Sequence, residues 1–242
     1  MSTAQKTSKR FYTMASVKKT AEGYAVQLDG KTIKTPEGQD LVAPSKALAD
    51  AVMQEWADQI DEIDPQSMPI TQILTTAIDT KRQRGDITDK LMRYLDTDLI
   101  CYWAKEPEKL AARQKEIWGR WIKWFDEHFE VPLYTTKKIE TIKQDPEAHK
   151  RLWNYIESLD DTYFTILQIM TADSGSVILG AAFAEGDASP DDIYKAAYLE
   201  ELYRAEFYSE DEYGAAPEEE AEREQFKSLA AAARDYINLA NA

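Results

Sequence analysis

The chain has 242 residues, 43% of them hydrophobic, with a formal net charge of -15 and a pI near 4.7. That length and apolar share can bury a core in two modest domains, whereas the charge repels nucleic acid and anionic lipid, both of which recruit basic surfaces. Cys101 is the one cysteine, so an intrachain disulfide is excluded and a reducing compartment fits.

Strand signals come first. Tyr24, Val26 and Leu28 alternate, Asp29-Gly30 is a two-residue hairpin turn, and Lys31 to Thr35 returns. Pro36, Glu37 and Gly38 make a second turn, Leu41-Val42 a short strand, and Ser45 caps a helix carrying Leu48, Ala51, Val52, Trp56 and Ile60 on one face. After the break from Asp61 to Pro65 the pattern is helical. Ile70, Ile73, Leu74, Ala77 and Ile78 are followed by Ile87, Leu91, Tyr94 and Leu95, and Leu110, Gln114, Ile117, Trp118, Trp121, Trp124 and Phe125 mark a long aromatic-rich helix. Two shorter helices, around Leu152 and Tyr163, lead to a stop at Asp173-Ser174-Gly175. Val177 to Ala184 is apolar all round, which predicts a central helix. Pro190 opens another helix. Pro217 opens the last, with Glu218, Glu219 and Glu220 where the helix dipole favours acids. Strands followed by helices give an α+β fold: a small β-rich N-terminal domain, residues 1–66, and an all-α bundle, residues 67–242.

Signatures of chemistry are missing from the sequence. It contains no glycine-rich phosphate loop, and His128 and His149 stand apart without metal-ligand spacing, so no cofactor, metal, small-molecule substrate or catalytic residue is expected. Ser174-Gly175-Ser176 reads as a helix stop and cap rather than a nucleophile turn, and Cys101 sits in an apolar run that makes it core. Acid pairs such as Asp160-Asp161, Asp191-Asp192 and Glu200-Glu201 leave an acid-pair hydrolase as a rival reading, but acids are abundant and most belong to solvated helix faces. The tryptophans 118, 121 and 124 share one helix face and are expected in the core rather than on a sugar platform. The longest apolar run is well short of the roughly 20 residues of a membrane span, and no apolar signal core precedes Phe11. A soluble bacterial cytoplasmic protein is therefore expected, or a mitochondrial matrix one if the source is eukaryotic.

One helix departs from this plain pattern. If the segment after Pro190 is a single helix, Asp191, Asp192, Lys195 and Glu206 form its polar side, while Glu200 and Arg204 project with Ile193, Ala196, Tyr203 and Phe207. Glu201 falls beside Tyr194 and Ala197 with no evident cation. Carboxylates in an apolar sector need a partner, because burying them alone is costly. An internal Glu200–Arg204 pair is one outcome, a partner protein the other.

Arg10-Phe11-Tyr12, the stretch YAVQLDGKTIKTP from Tyr24, Glu55-Trp56, Met68-Pro69, Thr76-Ala77-Ile78-Asp79, YLDTDLICY from Tyr94, Gln114 with Trp118, Gly175-Ser176 and Leu199-Glu200-Glu201 occur in order. Together they resemble the ATP synthase assembly factor family dedicated to the α subunit, called factor twelve, from about Arg10 to Tyr208. The resemblance implies an N-terminal α+β domain, a C-terminal orthogonal helical bundle and no enzymatic activity. It also implies a chaperone that holds the unassembled α subunit of the F-type ATP synthase head until the β subunit replaces it. An acidic helical scaffold with another client is the alternative. The family motif L-[DE]-E-x-[YF]-Q carries its essential glutamate onto Glu201, with Glu200 beside it. Here the usual glutamine is Arg204, and the usual Trp-Gly is Tyr208-Ser209. Glu201, Glu200, Arg204 and Tyr208 are thus the expected client-binding residues.

Overall fold

A computed structural model describes residues 8–207 and 217–242. The chain forms two compact units. One takes the chain up to Gln83 together with Ala231–Ala242, and the other is Arg84–Ala230.

In the first unit, β1 (Ser8–Lys9), β2 (Ala15–Lys19), β3 (Tyr24–Leu28), β4 (Lys31–Thr32) and β5 (Val42–Ala43) precede helix α1 (Lys46–Ala57), then come β6 (Glu62–Ile63) and α2 (Pro69–Thr80). Strand β3 is the centre of a mixed-length antiparallel sheet. One edge pairs with β2 in full, and the other is filled in two pieces, by β4 opposite Gln27 and Leu28 and by β5 opposite Tyr24 and Ala25. Asp29 and Gly30 both hold positive φ, as the two-residue hairpin turn requires. Asp29 also gathers the Thr13 and Met14 N–H groups and the Thr13 hydroxyl on its carboxylate, which lowers its pKa. Helix α1 starts on the Ser45 cap, whose side chain accepts from Leu48 N–H, and buries Leu48, Ala49 and Val52. A small core joins Tyr12, Leu28, Ile63 and Met68, with Trp56 packed against it.

The first unit extends past the boundary expected at residue 66, because α2 is tied to α1. The Glu55 carboxylate accepts from Ile70 N–H at 2.8 Å, Thr71 N–H at 2.7 Å and the Thr71 hydroxyl at 2.6 Å, where orphan donors open α2. Strands β1 and β6 were not foreseen. Each is two residues long and pairs only with the other, at Ser8↔Ile63 and Lys9↔Glu62, so neither leaves a local periodicity to read.

In the second unit, α3 (Arg84–Tyr94), a 3-10 turn at Leu99–Cys101, α4 (Glu108–Phe129), α5 (Pro146–Ser158), α6 (Asp161–Ser174), α7 (Val177–Glu185), α8 (Pro190–Ala197) and α9 (Leu199–Phe207) follow in order. The last helix, α10 (Pro217–Ala240), gives its residues from Ala231 onward to the first unit. Helix α7 is the centre, with every residue from Val177 to Ala184 buried; it packs on α3, α4, α6 and α8. Gly180 permits the close approach to α6, because a Cβ there would meet the Thr171 hydroxyl at 2.5 Å and the Leu167 carbonyl at 3.1 Å. The stop at Gly175 is left-handed, and Ser176 caps α7 by accepting from Leu179 N–H. Beneath that cap lies Asp98, fully buried. It accepts from Ile100 N–H in the 3-10 turn and from Ile178 N–H in α7, each at 3.2 Å. Burial pushes its pKa up to about 7, against the pull of Ser176 and these backbone donors. Cys101 is core, with its thiol pushed up by burial.

Candidate functional site

Helix α4 is the platform on which α8 and α9 are held. Gln114, Trp118, Trp121, Phe125 and Phe129 form its buried face, so two of the three spaced tryptophans are core. Trp124 is half-buried, stacks on His128 and donates its indole N–H to Asp187. The polar groups along this face then fix the neighbouring helices. Trp118 donates to the Ala196 carbonyl at the end of α8, at 2.8 Å, and Arg120 reaches Asp192 at 2.9 Å. Arg113 forks onto Glu206 of α9 at 2.8 and 2.7 Å and lies 5.4 Å from the centroid of the Tyr203 ring. Gln114 has no solvent exposure; its carbonyl oxygen accepts from Ala104 N–H at 2.6 Å and its amide donates to Glu200 at 2.7 Å.

The single helix expected after Pro190 is two helices. Tyr198, at φ -100 and ψ 17, breaks the run between α8 and α9, so a projection carried across it rotates the later residues wrongly. Glu200 is exposed rather than set in an apolar sector. Among the described residues its partner is the buried Gln114 amide, 86 residues away, and not Arg204. Glu201 is half-buried, and burial raises its pKa. Contrary to expectation it has cations nearby: Arg204 of its own helix and Arg223 of α10 pull the pKa down, while Glu219 and Glu222 push it up. Tyr198 sits in the same field, its phenol raised first by burial and then by Glu201, Asp173 and Glu222. Beside it, Tyr194, Tyr198 and Phe226 stack edge and face, with ring centroids 5.4 and 5.1 Å apart along the pair of contacts to Tyr198. Arg204 is exposed. Tyr208, the remaining expected contact, lies outside the described residues.

The other acid pairs are structurally engaged. Asp192 closes a capping box with Ser189 at the start of α8, Asp191 pairs with Lys195 at 2.6 Å, and Asp160 caps α6. His149 is paired with Asp96 at 3.2 Å. Among the described residues no group of three or more His, Cys, Asp or Glu side chains is placed to hold a metal ion, and no helix is long and apolar enough to cross a membrane.

Three comparisons bear on what such an arrangement belongs to. Residues 9–126 match the model of the family described as ATP12 chaperone protein. The crystal structure of Atp12 from Paracoccus denitrificans superposes with a TM-score of 0.83 at 30% sequence identity, covering 96% of this chain and 98% of that one. The chain belongs to the ATP12 chaperone family. The mitochondrial Atp12 protein of Schizosaccharomyces pombe is 31% identical over 170 residues, 64% of this chain and 58% of that protein, so the chain spans under two thirds of its length. The mitochondrial ATP12 protein of Saccharomyces cerevisiae is 25% identical over 252 aligned positions, 85% of this chain and 77% of that protein. The α+β architecture with its helical second part is that of the ATP12 structures. Helix α9 lies beyond the residues matched by the family model, and the structural match is what reaches it.

Gln114, Arg113 and Arg223 were not foreseen as neighbours of the glutamates. Each is brought there by tertiary packing across a long sequence separation, which a single sequence does not display. Gln114 was marked in the sequence as part of the aromatic-rich helix and by its family-like pairing with Trp118, and neither signal pointed to α9.

Proposed function

We propose that the protein is an assembly chaperone of the F-type ATP synthase, binding the unassembled α subunit of the catalytic head and releasing it when the β subunit takes its place. The observation that carries this reading is the near full-length likeness to Atp12, at 30% identity and with 96% of the chain covered. The site we assign is the outer edge of α9, with Glu201 at its centre and Glu200 and Arg204 on the same helix; Tyr208, next along the sequence, is assigned to it from the family motif alone. Its construction suits recognition. The edge is backed by the rigid contacts of α4, and Glu201 is partly desolvated, which strengthens a charge-assisted hydrogen bond to an incoming donor. An unassembled subunit exposes apolar interface that aggregates unless masked, and the surrounding acids steer a cationic patch towards α9 in a salt-sensitive way.

Co-expression tests this reading. With the cognate α subunit, the protein should keep that subunit soluble and elute with it as a one-to-one complex, whereas the β subunit expressed with it should not co-elute. Equal capture of both subunits, or of neither, contradicts it.

A further inference from the structure

The acidic helix α9 has an oppositely charged counterpart in the same unit. Between α4 and α5 the chain makes a loop whose tip, residues 137–143, carries Lys137, Lys138 and Lys143 against the single acid Glu140, in a protein of net charge -15. Ile139 at its head is fully exposed. One exposed isoleucine needs no explanation by itself; what distinguishes this one is how it is held. Thr136, at the root, donates its N–H to the Cys101 carbonyl at 2.9 Å and accepts from Trp103 N–H at 2.8 Å. Its hydroxyl accepts from Lys138 N–H at 3.0 Å. On the return, Ile142 N–H donates to the Tyr102 hydroxyl at 3.0 Å and Gln144 N–H to Asp96 at 2.9 Å, while the buried Gln144 amide exchanges two hydrogen bonds with the Tyr134 backbone. Both ends are thus fixed to the segment 96–103 and the tip projects. Lysines such as Lys34, Lys46 and Lys195 are paired with acids, but Lys137, Lys138 and Lys143 are in no ion pair among the described residues.

The loop root also lies close to the glutamate edge. Glu200 is bonded to Gln114, Gln114 to Ala104, and the preceding residue, Trp103, to Thr136. We infer that the loop 137–143 is a second docking point for the protein partner that α9 engages, seating Ile139 in an apolar pocket rimmed by acids on that partner. A partner held at two points of opposite sign is fixed in orientation as well as in approach. A lipid surface is the poorer occupant, because the molecule as a whole is acidic and the loop offers one apolar side chain for insertion.

This inference rests on the α subunit as client, and one titration separates the two ideas. Affinity for the purified α subunit is measured at low and high salt for the wild type, for Ile139→Ser, for the triple variant Lys137→Glu/Lys138→Glu/Lys143→Glu, and for Glu201→Gln. Both loop variants should bind about tenfold more weakly or worse, with unchanged melting temperature, and the triple variant should show an altered salt dependence. Wild-type affinity in both loop variants, with Glu201→Gln weakened, overturns the loop inference alone. A wild type that does not bind the α subunit overturns the client reading and the loop inference with it. Binding to phosphatidylserine vesicles that the triple variant abolishes contradicts a protein occupant.

Discussion

Helices α7 and α9 are both nine residues long and lie in the same unit, yet they are built on opposite principles. Helix α7 buries its residues from Val177 to Ala184, approaches α6 through Gly180, and is capped by Ser176 over a buried acid. Its neighbours leave no side available to a partner. Helix α9 buries Leu199 and Tyr203 and leaves Glu200, Arg204 and Glu206 exposed; what holds it is a set of individual polar contacts from α4. The difference teaches where stability and recognition are separable. Changes at α7 should unfold the unit, and changes at the outer edge of α9 should alter binding while sparing the fold.

The largest effect is expected at the centre. Phe183→Ala leaves a cavity in the middle of the bundle and should cost about 3–5 kcal/mol, read as a large drop in the denaturant midpoint. A small change there would mean that α7 is not the keystone of the unit.

Asp98 gives the same region a pH signature. Its folded pKa is raised by burial to about 7 from the ordinary aspartate value of 3.8, so the native state holds this proton more tightly than the unfolded chain. The associated stability is fully present below the unfolded pKa and is lost as pH rises through about 7. Between about pH 8 and about pH 5.5 the gain should be on the order of 2 kcal/mol. Thermal melts across that window check it, and Asp98→Asn should flatten the dependence. A wild-type melting temperature that is level across the window contradicts it.

Gln114 tests the link between the two kinds of helix. Gln114→Leu leaves the Ala104 N–H without its acceptor and frees the Glu200 carboxylate, costing about 1–3 kcal/mol of stability and weakening client binding more than Arg113→Ala does. The latter breaks the exposed fork to Glu206 and should cost only about 0.2–1 kcal/mol. If Arg113→Ala proves the more damaging to binding, the fixed orientation of Glu200 is not what the client reads.

Much of this architecture was legible because it is written locally. The Asp29-Gly30 turn, the Ser45 and Ser176 caps, the Gly175 stop and the all-apolar α7 each follow from neighbouring residues. The pairing of β1 with β6 and the attachment of α2 to α1 through Glu55 were not legible, because their partners are distant in sequence. The same holds at the candidate site. The glutamates stood out by their helical projection among apolar residues and by family likeness, but the break at Tyr198, the Gln114 clamp and the Arg223 neighbour arise only when α4, α8, α9 and α10 are packed together.

The most direct test of the central claim is the affinity of folded Glu201→Gln for the α subunit, with its melting temperature measured on the same sample. The substitution removes the charge and nearly keeps the shape. Because burial, and after it Glu219 and Glu222, raise the Glu201 pKa against the pull of Arg204 and Arg223, the charged form is disfavoured in the fold and losing the charge should leave the fold intact. Losing a charge-assisted hydrogen bond of roughly 1.5–3 kcal/mol should weaken binding about tenfold to a hundredfold. Full wild-type affinity in a folded Glu201→Gln protein would contradict the assignment of α9 as the client-binding edge.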